Sequence, residues 1–274
     1  MTSELAIERL SAADIAGSVA LSSSVGWKDV PGEWRVLHAA ALVLGARSQG
    51  QLIAQGALGD YGTVATLAKM VVAPHLQRAR LGSRLLDRLL AEADTRALPV
   101  GLCAAPPGRR LYDSRGFLPV GELVVVTGSP SVGTSPAGVA VALLDAEPAI
   151  LLDRHWLGCD RRRMLRARLR EASAAFLLPE GGGYGLATAQ GEGWLVGPIV
   201  ARGEAEARLL AAAIFGSAPG PIRIDVPVEQ HGFRDWLAGV GLRELGARAE
   251  MARGTARLPW QVPQRFALAT QAWC

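Results

Sequence analysis

A helix that begins straight after a strand leaves its first amide N–H groups without intrahelical partners, and the helix dipole adds partial positive charge at the same place. The segment Met70-Val71-Val72-Ala73-Pro74-His75-Leu76-Gln77-Arg78-Ala79-Arg80-Leu81-Gly82-Ser83-Arg84-Leu85-Leu86 has this form. It runs from strand-like residues through a short loop into a helical period. Several backbone donors then converge on one point, which is a seat for a diphosphate. A second segment, Leu111-Tyr112-Asp113-Ser114-Arg115-Gly116-Phe117, follows after one intervening strand-like run and brings a phenol into the same half of the chain.

The elements that must position these residues are legible in the patterning. Ser11 to Asp14 reads as a helix start, and Gly26-Trp27-Lys28-Asp29-Val30-Pro31 interrupts the pattern before a second helical segment. Ala41 to Arg47 and Gln51 to Leu58 flank Ser48-Gln49-Gly50 as a hairpin, and Thr63 to Val72 follows another turn. From Leu81 to Ala97 the period becomes helical, with Leu81, Leu85, Leu86, Leu89 and Leu90 on one side. Val100 to Ala105 is a short buried strand, Arg109 to Arg115 a short helix and Leu123 to Thr127 a closing strand. Residues 129–136, rich in Gly, Ser and Pro, form the linker expected between domains at 1–128 and 137–274.

Beyond the linker the order recurs. Val139 to Leu144 reads as a strand, Ala146 to Leu157 and Arg161 to Glu171 as helices, and Ala174 to Leu178 and Tyr184 to Ala189 as a hairpin across Gly181-Gly182-Gly183. Trp194 to Val200, a helix from Glu204 to Phe215 and a strand from Ile222 to Val226 complete the outline. Gly116-Phe117-Leu118-Pro119-Val120-Gly121 faces Gly241-Leu242-Arg243-Glu244-Leu245-Gly246 in the repeat, which suggests duplication at domain length.

On these residues the chain resembles the GNAT superfamily of N-acetyltransferases. The family's cofactor loop has the form Gln or Arg, two residues, Gly, one residue, Gly or Ala, after a strand ending near Val-x-Pro. Gln77, Gly82 and Val72-Ala73-Pro74 fit it. Arg80 stands where a glycine is usual; it restricts the loop backbone and offers a phosphate contact. Tyr112 to Phe117 matches the family's Tyr-x-x-x-Gly-Phe element.

The resemblance implies an α+β fold, sandwich-like, with two GNAT units in tandem, each a mixed, mostly antiparallel twisted sheet flanked by helices. It implies acetyl-CoA as the donor, and transfer to a primary amine of a small molecule or peptide by direct attack on the thioester. Met70, Val71 and Val72 would bind the pantetheine arm and polarise the thioester, and Gln77, Arg78, Ala79, Arg80, Leu81, Gly82 and Ser83 would hold the diphosphate. Tyr112 would be the general acid: a phenol of pKa about 10 can protonate or stabilise a thiolate whose conjugate acid lies near about 8.5. Trp27 would form part of the acceptor wall. Asp60, Glu33 and His38 are available as a base, and no spacing singles one out.

The second half looks like a disabled copy. Arg202-Gly203-Glu204-Ala205-Glu206-Ala207 is shorter than the loop of the first half and carries two carboxylates, and Leu237 stands at the position of Tyr112. An acyl-CoA sensor without turnover, favoured by Arg80, is the alternative reading.

Composition sets the remaining bounds. Half of the 274 residues are hydrophobic, so a large core is expected. The formal charge of +4 comes almost wholly from arginine, since Lys28 and Lys69 are the only lysines. It points to no nucleic acid, and the arginines of 161–170 read as a solvated helix face. Apolar stretches such as Leu123 to Val126 are too short to cross a bilayer, so no membrane partner and a cytoplasmic location are expected. Cys103, Cys159 and Cys274 suit neither a disulfide framework nor a metal site.

Overall fold

The computed structural model describes residues 5–131, 141–142 and 145–273. The first repeat runs β1 (Ile7–Arg9), α1 (Ile15–Ser24), α2 (Pro31–Ala40), β2 (Ala41–Ser48), β3 (Gln51–Asp60), β4 (Ala65–Val72), α3 (Leu81–Asp94), β5 (Val100–Ala104), α4 (Arg109–Asp113) and β6 (Leu118–Gly128). The second follows the same order: β7 (Val141–Ala142), α5 (Glu147–Leu157), α6 (Arg162–Glu171), β8 (Ala172–Leu178), β9 (Gly183–Gln190), β10 (Gly193–Ala201), α7 (Glu204–Ser217), β11 (Ile222–Pro227), α8 (His231–Gly239) and β12 (Arg243–Arg253). A short β13 (Arg265–Ala267) has no counterpart in the first repeat among the described residues. Most of the expected strand from Val139 to Leu144, and residues 132–136 of the expected linker, lie outside the described residues.

Local chemistry accounts for the boundaries. Ser11 accepts from the Ala13 amide while the Asp14 carboxylate accepts from the Ser11 amide, a reciprocal cap at the start of the α1 segment. Pro31 opens α2 at a position where its missing N–H costs nothing. Gln49 and Gly50 both have positive φ, as a two-residue hairpin between right-twisted strands requires. In α3, Leu81, Leu85, Leu86, Leu89, Leu90 and Ala93 form one buried stripe. The strand β6 starts five residues earlier than the apolar run at Leu123, because Leu118 to Glu122 pair with β12 while remaining largely exposed. Backbone pairing extends there beyond the hydrophobic signal.

All the strands belong to one sheet, in the order β1-β2-β3-β4-β5-β12-β6-β11-β10-β9-β8-β7, with β13 on β10. Read from either end, this order visits corresponding strands of the two repeats, except that β6 and β12 have changed places. The last strand of each repeat pairs with the penultimate strand of the other: β12 with β5 over Val100 to Ala104, and β6 with β11 over Leu123 to Gly128. Pairing is antiparallel apart from β4 with β5 and β10 with β11.

Three cores follow from this layout. One lies under α3 and includes Leu85, Leu86, Leu89 and Phe117. A second lies under α7 and α8 and includes Leu210, Ile214, Phe233 and Leu237. The third is shared: Trp34 and Leu37 of α2 pack with Met164 and Leu165 of α6, together with Trp260 and Trp273 from the C-terminal segment. Arg161 and Arg168 also enter the interior, correcting the expectation of a uniformly solvated arginine face. Arg161 forms a two-bond pair with Asp153, which also accepts from the Tyr184 hydroxyl at 2.5 Å. Arg168 is held by Glu33 of the first repeat at 3.0 Å and by the Thr188 hydroxyl at 2.9 Å.

Candidate active site

The two strands that carry the first repeat's site are paired only at their beginnings. Ala65 faces Val100 and Thr66 faces Gly101, and beyond these β4 and β5 diverge. Within β4 a bulge sits at Lys69, whose φ is +52°: Ala57 of β3 faces Ala68 and Gln55 faces Val71, so one β3 residue spans two of β4. Past the bulge, the Ala73 amide donates to the Ile53 carbonyl at 2.8 Å. Alternation along the strand therefore turns the backbone groups of Met70 and Val72 away from β3, toward the open side. The Val72 carbonyl accepts from Gln77 Nε2 at 3.3 Å, which fits this orientation.

A turn at Pro74–Leu76 leads into an exposed run, Gln77 to Arg80, and then into α3. Arg78 and Arg80 both adopt left-handed backbone, with φ of +70° and +61°. Arg80 thus takes up the conformation for which a glycine would be the ordinary choice, at a cost of about 1–2 kcal/mol, and the turn remains formed. The first intrahelical bond runs from the Arg84 amide to the Arg80 carbonyl at 3.0 Å. The amides of Leu81, Gly82 and Ser83 consequently have no carbonyl one turn earlier within the helix. Leu81 is buried and anchors the turn. A Cβ on Gly82 would meet only Val72 Cγ2, at an ordinary 3.4 Å, so the fold itself does not demand glycine there. What the bare position provides is close access to the helix amides, as a diphosphate needs.

Tyr112 lies in the short α4 and, like Met70, Val72 and Leu76, packs partly buried against the core beneath α3. Its ring meets Phe117 edge-on at 5.8 Å between centroids, and the Phe117 amide bonds back to the Tyr112 carbonyl at 3.2 Å. Gly116, with φ of +78°, makes the turn between them. Burial pushes the Tyr112 phenol up to about 12, so it carries its proton at any working pH.

Trp27 is about one-third exposed, and the face of its ring is taken by Lys69 Nζ, 5.4 Å from the centroid. The same ammonium lies 2.5 Å from Asp29 Oδ1. Lys69 therefore ties the loop between α1 and α2 to the bulge in β4. Neither Lys69 nor Asp29 was among the residues singled out from the sequence. The signal available was only that Lys69 is one of two lysines and that Asp29 sits in the Gly26–Pro31 break. Of the candidate bases, Asp60 pairs with Arg96 and Glu33 with Arg168. His38 is half-buried, its pKa is lowered by burial, and its Nε2 has no partner among the described residues.

Two models of the acetyltransferase (GNAT) domain match the chain, one over residues 33–133 and the other over residues 149–267. The chain is a tandem GNAT protein. It is 24% identical over 247 residues to YitH of Bacillus subtilis strain 168, described as an uncharacterized N-acetyltransferase, covering 84% of this chain and 85% of that one. A crystal structure of a putative acetyltransferase from Pyrococcus horikoshii superposes with a TM-score of 0.85 at 19% identity, covering 100% of this chain and 97% of that one. A tandem GNAT protein from the clavulanic acid biosynthesis pathway superposes with a TM-score of 0.64 at 16% identity, covering 91% and 98%. Both show the same fold.

The second GNAT repeat has the same divergence of strands, and its own chain fills it. The strands β10 and β11 pair from Trp194 to Val196 and then separate. Into the gap comes β13, pairing Ile199 with Ala267 and Val200 with Arg265. The Ala201 amide donates to the Gln264 carbonyl at 2.9 Å, and the Leu268 amide donates to the Asp225 carbonyl at 2.9 Å. A Cβ on Gly197 would stand 1.8 Å from the Leu268 carbonyl oxygen, which is how close the inserted segment runs. Arg265 is fixed by a two-bond pair with the buried Glu250 of β12. Leu237, at the place of Tyr112, is fully buried.

Proposed function

We propose that the first repeat transfers an acetyl group from acetyl-CoA to a primary amine of a small molecule or peptide, and that the second repeat binds no acetyl-CoA. The observation that carries this reading is the diverging pair β4 and β5 running straight into the uncovered amides of α3. In the second repeat the same divergence is occupied by β13.

Each expected residue has a part. The amides of Leu81, Gly82 and Ser83, with Gln77, Arg78, Ala79 and Arg80 around them, form the diphosphate seat. The backbone of Met70 and Val72, with Val71 between them, faces the pantetheine arm. A donor from Met70 next to the bulge polarises the thioester carbonyl, the more effectively for lying outside bulk water. Tyr112 supplies the proton to the departing thiolate, since its half-buried phenol is fully protonated until far above neutrality. Trp27 borders the amine's approach. A cytoplasmic setting, where acetyl-CoA is made and used, fits this role, and no described helix is long and apolar enough to cross a membrane. The sensor alternative drew on Arg80, whose left-handed turn is compatible with binding by a sensor or an enzyme, so turnover lost in Tyr112→Phe with binding kept is what separates the two.

Calorimetric titration with acetyl-CoA tests the reading. One molecule should bind per chain in the parent and none in Gly82→Glu, which places a carboxylate in the diphosphate seat. Absence of binding in the parent would refute it.

A further inference from the structure

Between the two repeats lies a cavity of about 240 Å³. One wall is the start of α2 with the preceding loop, including Asp29, Glu33 and Arg35; the other is Arg168 and Glu171 of α6 with the end of β9 at Thr188, Ala189 and Gln190, and Val30, Val36 and Leu195 add apolar surface between the charged pairs. Nearly all its charges are spoken for within the protein. Arg35 pairs with Glu171 at 2.7 Å, Arg168 with Glu33 at 3.0 Å, and Lys69 of the β4 bulge with Asp29 Oδ1 at 2.5 Å.

One acceptor is left over. Asp29 Oδ2 is buried and has no hydrogen-bond partner among the described residues, on a side chain only 5% exposed. A buried carboxylate oxygen without a donor is costly, and Asp29 both lines the cavity and, through its other oxygen, bonds to Lys69 of the strand proposed to hold the thioester.

We infer that the acceptor is a small polar primary amine bound in this inter-repeat cavity with its nitrogen on Asp29 Oδ2, so that the second repeat builds the far wall of the acceptor site. The inference rests on the acetyl-transfer reading. The neutral amine attacks the thioester carbonyl, the N–C bond forms and the C–S bond breaks. The proton lost by nitrogen goes to Asp29 Oδ2 and thence to water, and Tyr112 gives its proton to sulfur and is reprotonated from water. The charged pairs and the side-chain amide of Gln190 favour a hydrophilic body over an aromatic one.

The test is CoA-thiol release from acetyl-CoA with glycinamide and ethanolamine against tryptamine and 2-phenylethylamine. The polar pair should exceed the aromatic pair at least about tenfold in kcat/KM. Asp29→Asn should lower kcat/KM for the polar amines about 100-fold at neutral pH and recover as hydroxide replaces the lost base. Lys69, Glu33, Arg35, Arg168 and Glu171 are the charged groups around Asp29 and the cavity in parent and variant alike, so the difference between their two pH profiles reports on Asp29. Lys69→Met breaks the same ion pair but keeps the carboxylate, and should cost less than about tenfold. Ala189→Trp fills the cavity from the second repeat without removing a hydrogen bond, and should raise the amine KM at least about tenfold with acetyl-CoA affinity unchanged.

Equal losses in Asp29→Asn and Lys69→Met, an unchanged KM in Ala189→Trp, or preference for the aromatic amines would each overturn the inference while leaving acetyl transfer standing. A parent that binds acetyl-CoA but acetylates neither polar amine would overturn it as well. A parent that binds no acetyl-CoA refutes the underlying reading instead.

Discussion

Tyr112 and Arg80 show how much a single residue's environment decides. Burial raises the phenol of Tyr112 to about 12, so its neutral form is favoured in the folded protein. The associated stability is fully present below the ordinary phenol pKa of about 10 and is lost as pH rises toward 12. The pH profile of kcat should therefore show no descending limb from Tyr112 below about pH 11. Tyr112→Phe should reduce kcat by about 10²-fold while leaving the acetyl-CoA dissociation constant within about twofold, measured by steady-state kinetics beside calorimetry. For Arg80, the left-handed backbone makes glycine the less strained residue. Arg80→Gly should raise unfolding stability by roughly 0.5–1 kcal/mol in urea.

The proposed cofactor seat is an arrangement of elements, legible in the sequence through the change from strand to helical period at Leu81. The bulge at Lys69 was not legible, because no residue type marks it: a lysine holds a positive φ there under the constraint of its neighbours. The contrast between the two clefts makes glycine positions informative. A Cβ on Gly82 has room, so Gly82→Ala should fold with normal stability while weakening acetyl-CoA binding. Gly197 has none, with the Leu268 carbonyl 1.8 Å from where a Cβ would stand. Gly197→Ala should displace β13 and destabilise the protein by more than about 3 kcal/mol, as read by thermal or urea unfolding.

On the scale of the molecule, the exchange of β6 and β12 and the shared core between α2 and α6 couple the repeats. Removing either repeat strips a strand from the middle of the other's sheet and uncovers one side of the shared core, Trp34 and Leu37 when the second repeat is lost, Met164 and Leu165 when the first is. Urea unfolding of the intact chain should therefore follow one transition by both tryptophan fluorescence and far-UV circular dichroism, with no plateau from one surviving repeat. The C-terminal segment adds to this coupling. Thr270 Oγ1 donates to Glu33 at 3.3 Å, and Trp273 packs against β3 beside Gly59. In the proposed reading the second repeat acts as scaffold and wall. The segment that fills its cleft also braces the first repeat.

By itself the sequence determined the order of most elements, though not β1, α8, β12 or β13, together with the amphipathic face of α3 and the strand-to-helix turn at Gln77 to Gly82, because these depend on short-range spacing and residue chemistry. Only the tertiary structure decided that the repeats exchange strands, that β13 fills the second cleft, that Arg161 and Arg168 are buried and that Asp29 meets Lys69 at the β4 bulge. Apart from Arg161, whose counter-ion Asp153 is eight residues away, these are contacts between segments 40 or more residues apart, where no local pattern records a partner: backbone hydrogen bonding is blind to residue type, and a buried charge looks like a surface one until its counter-ion is in place.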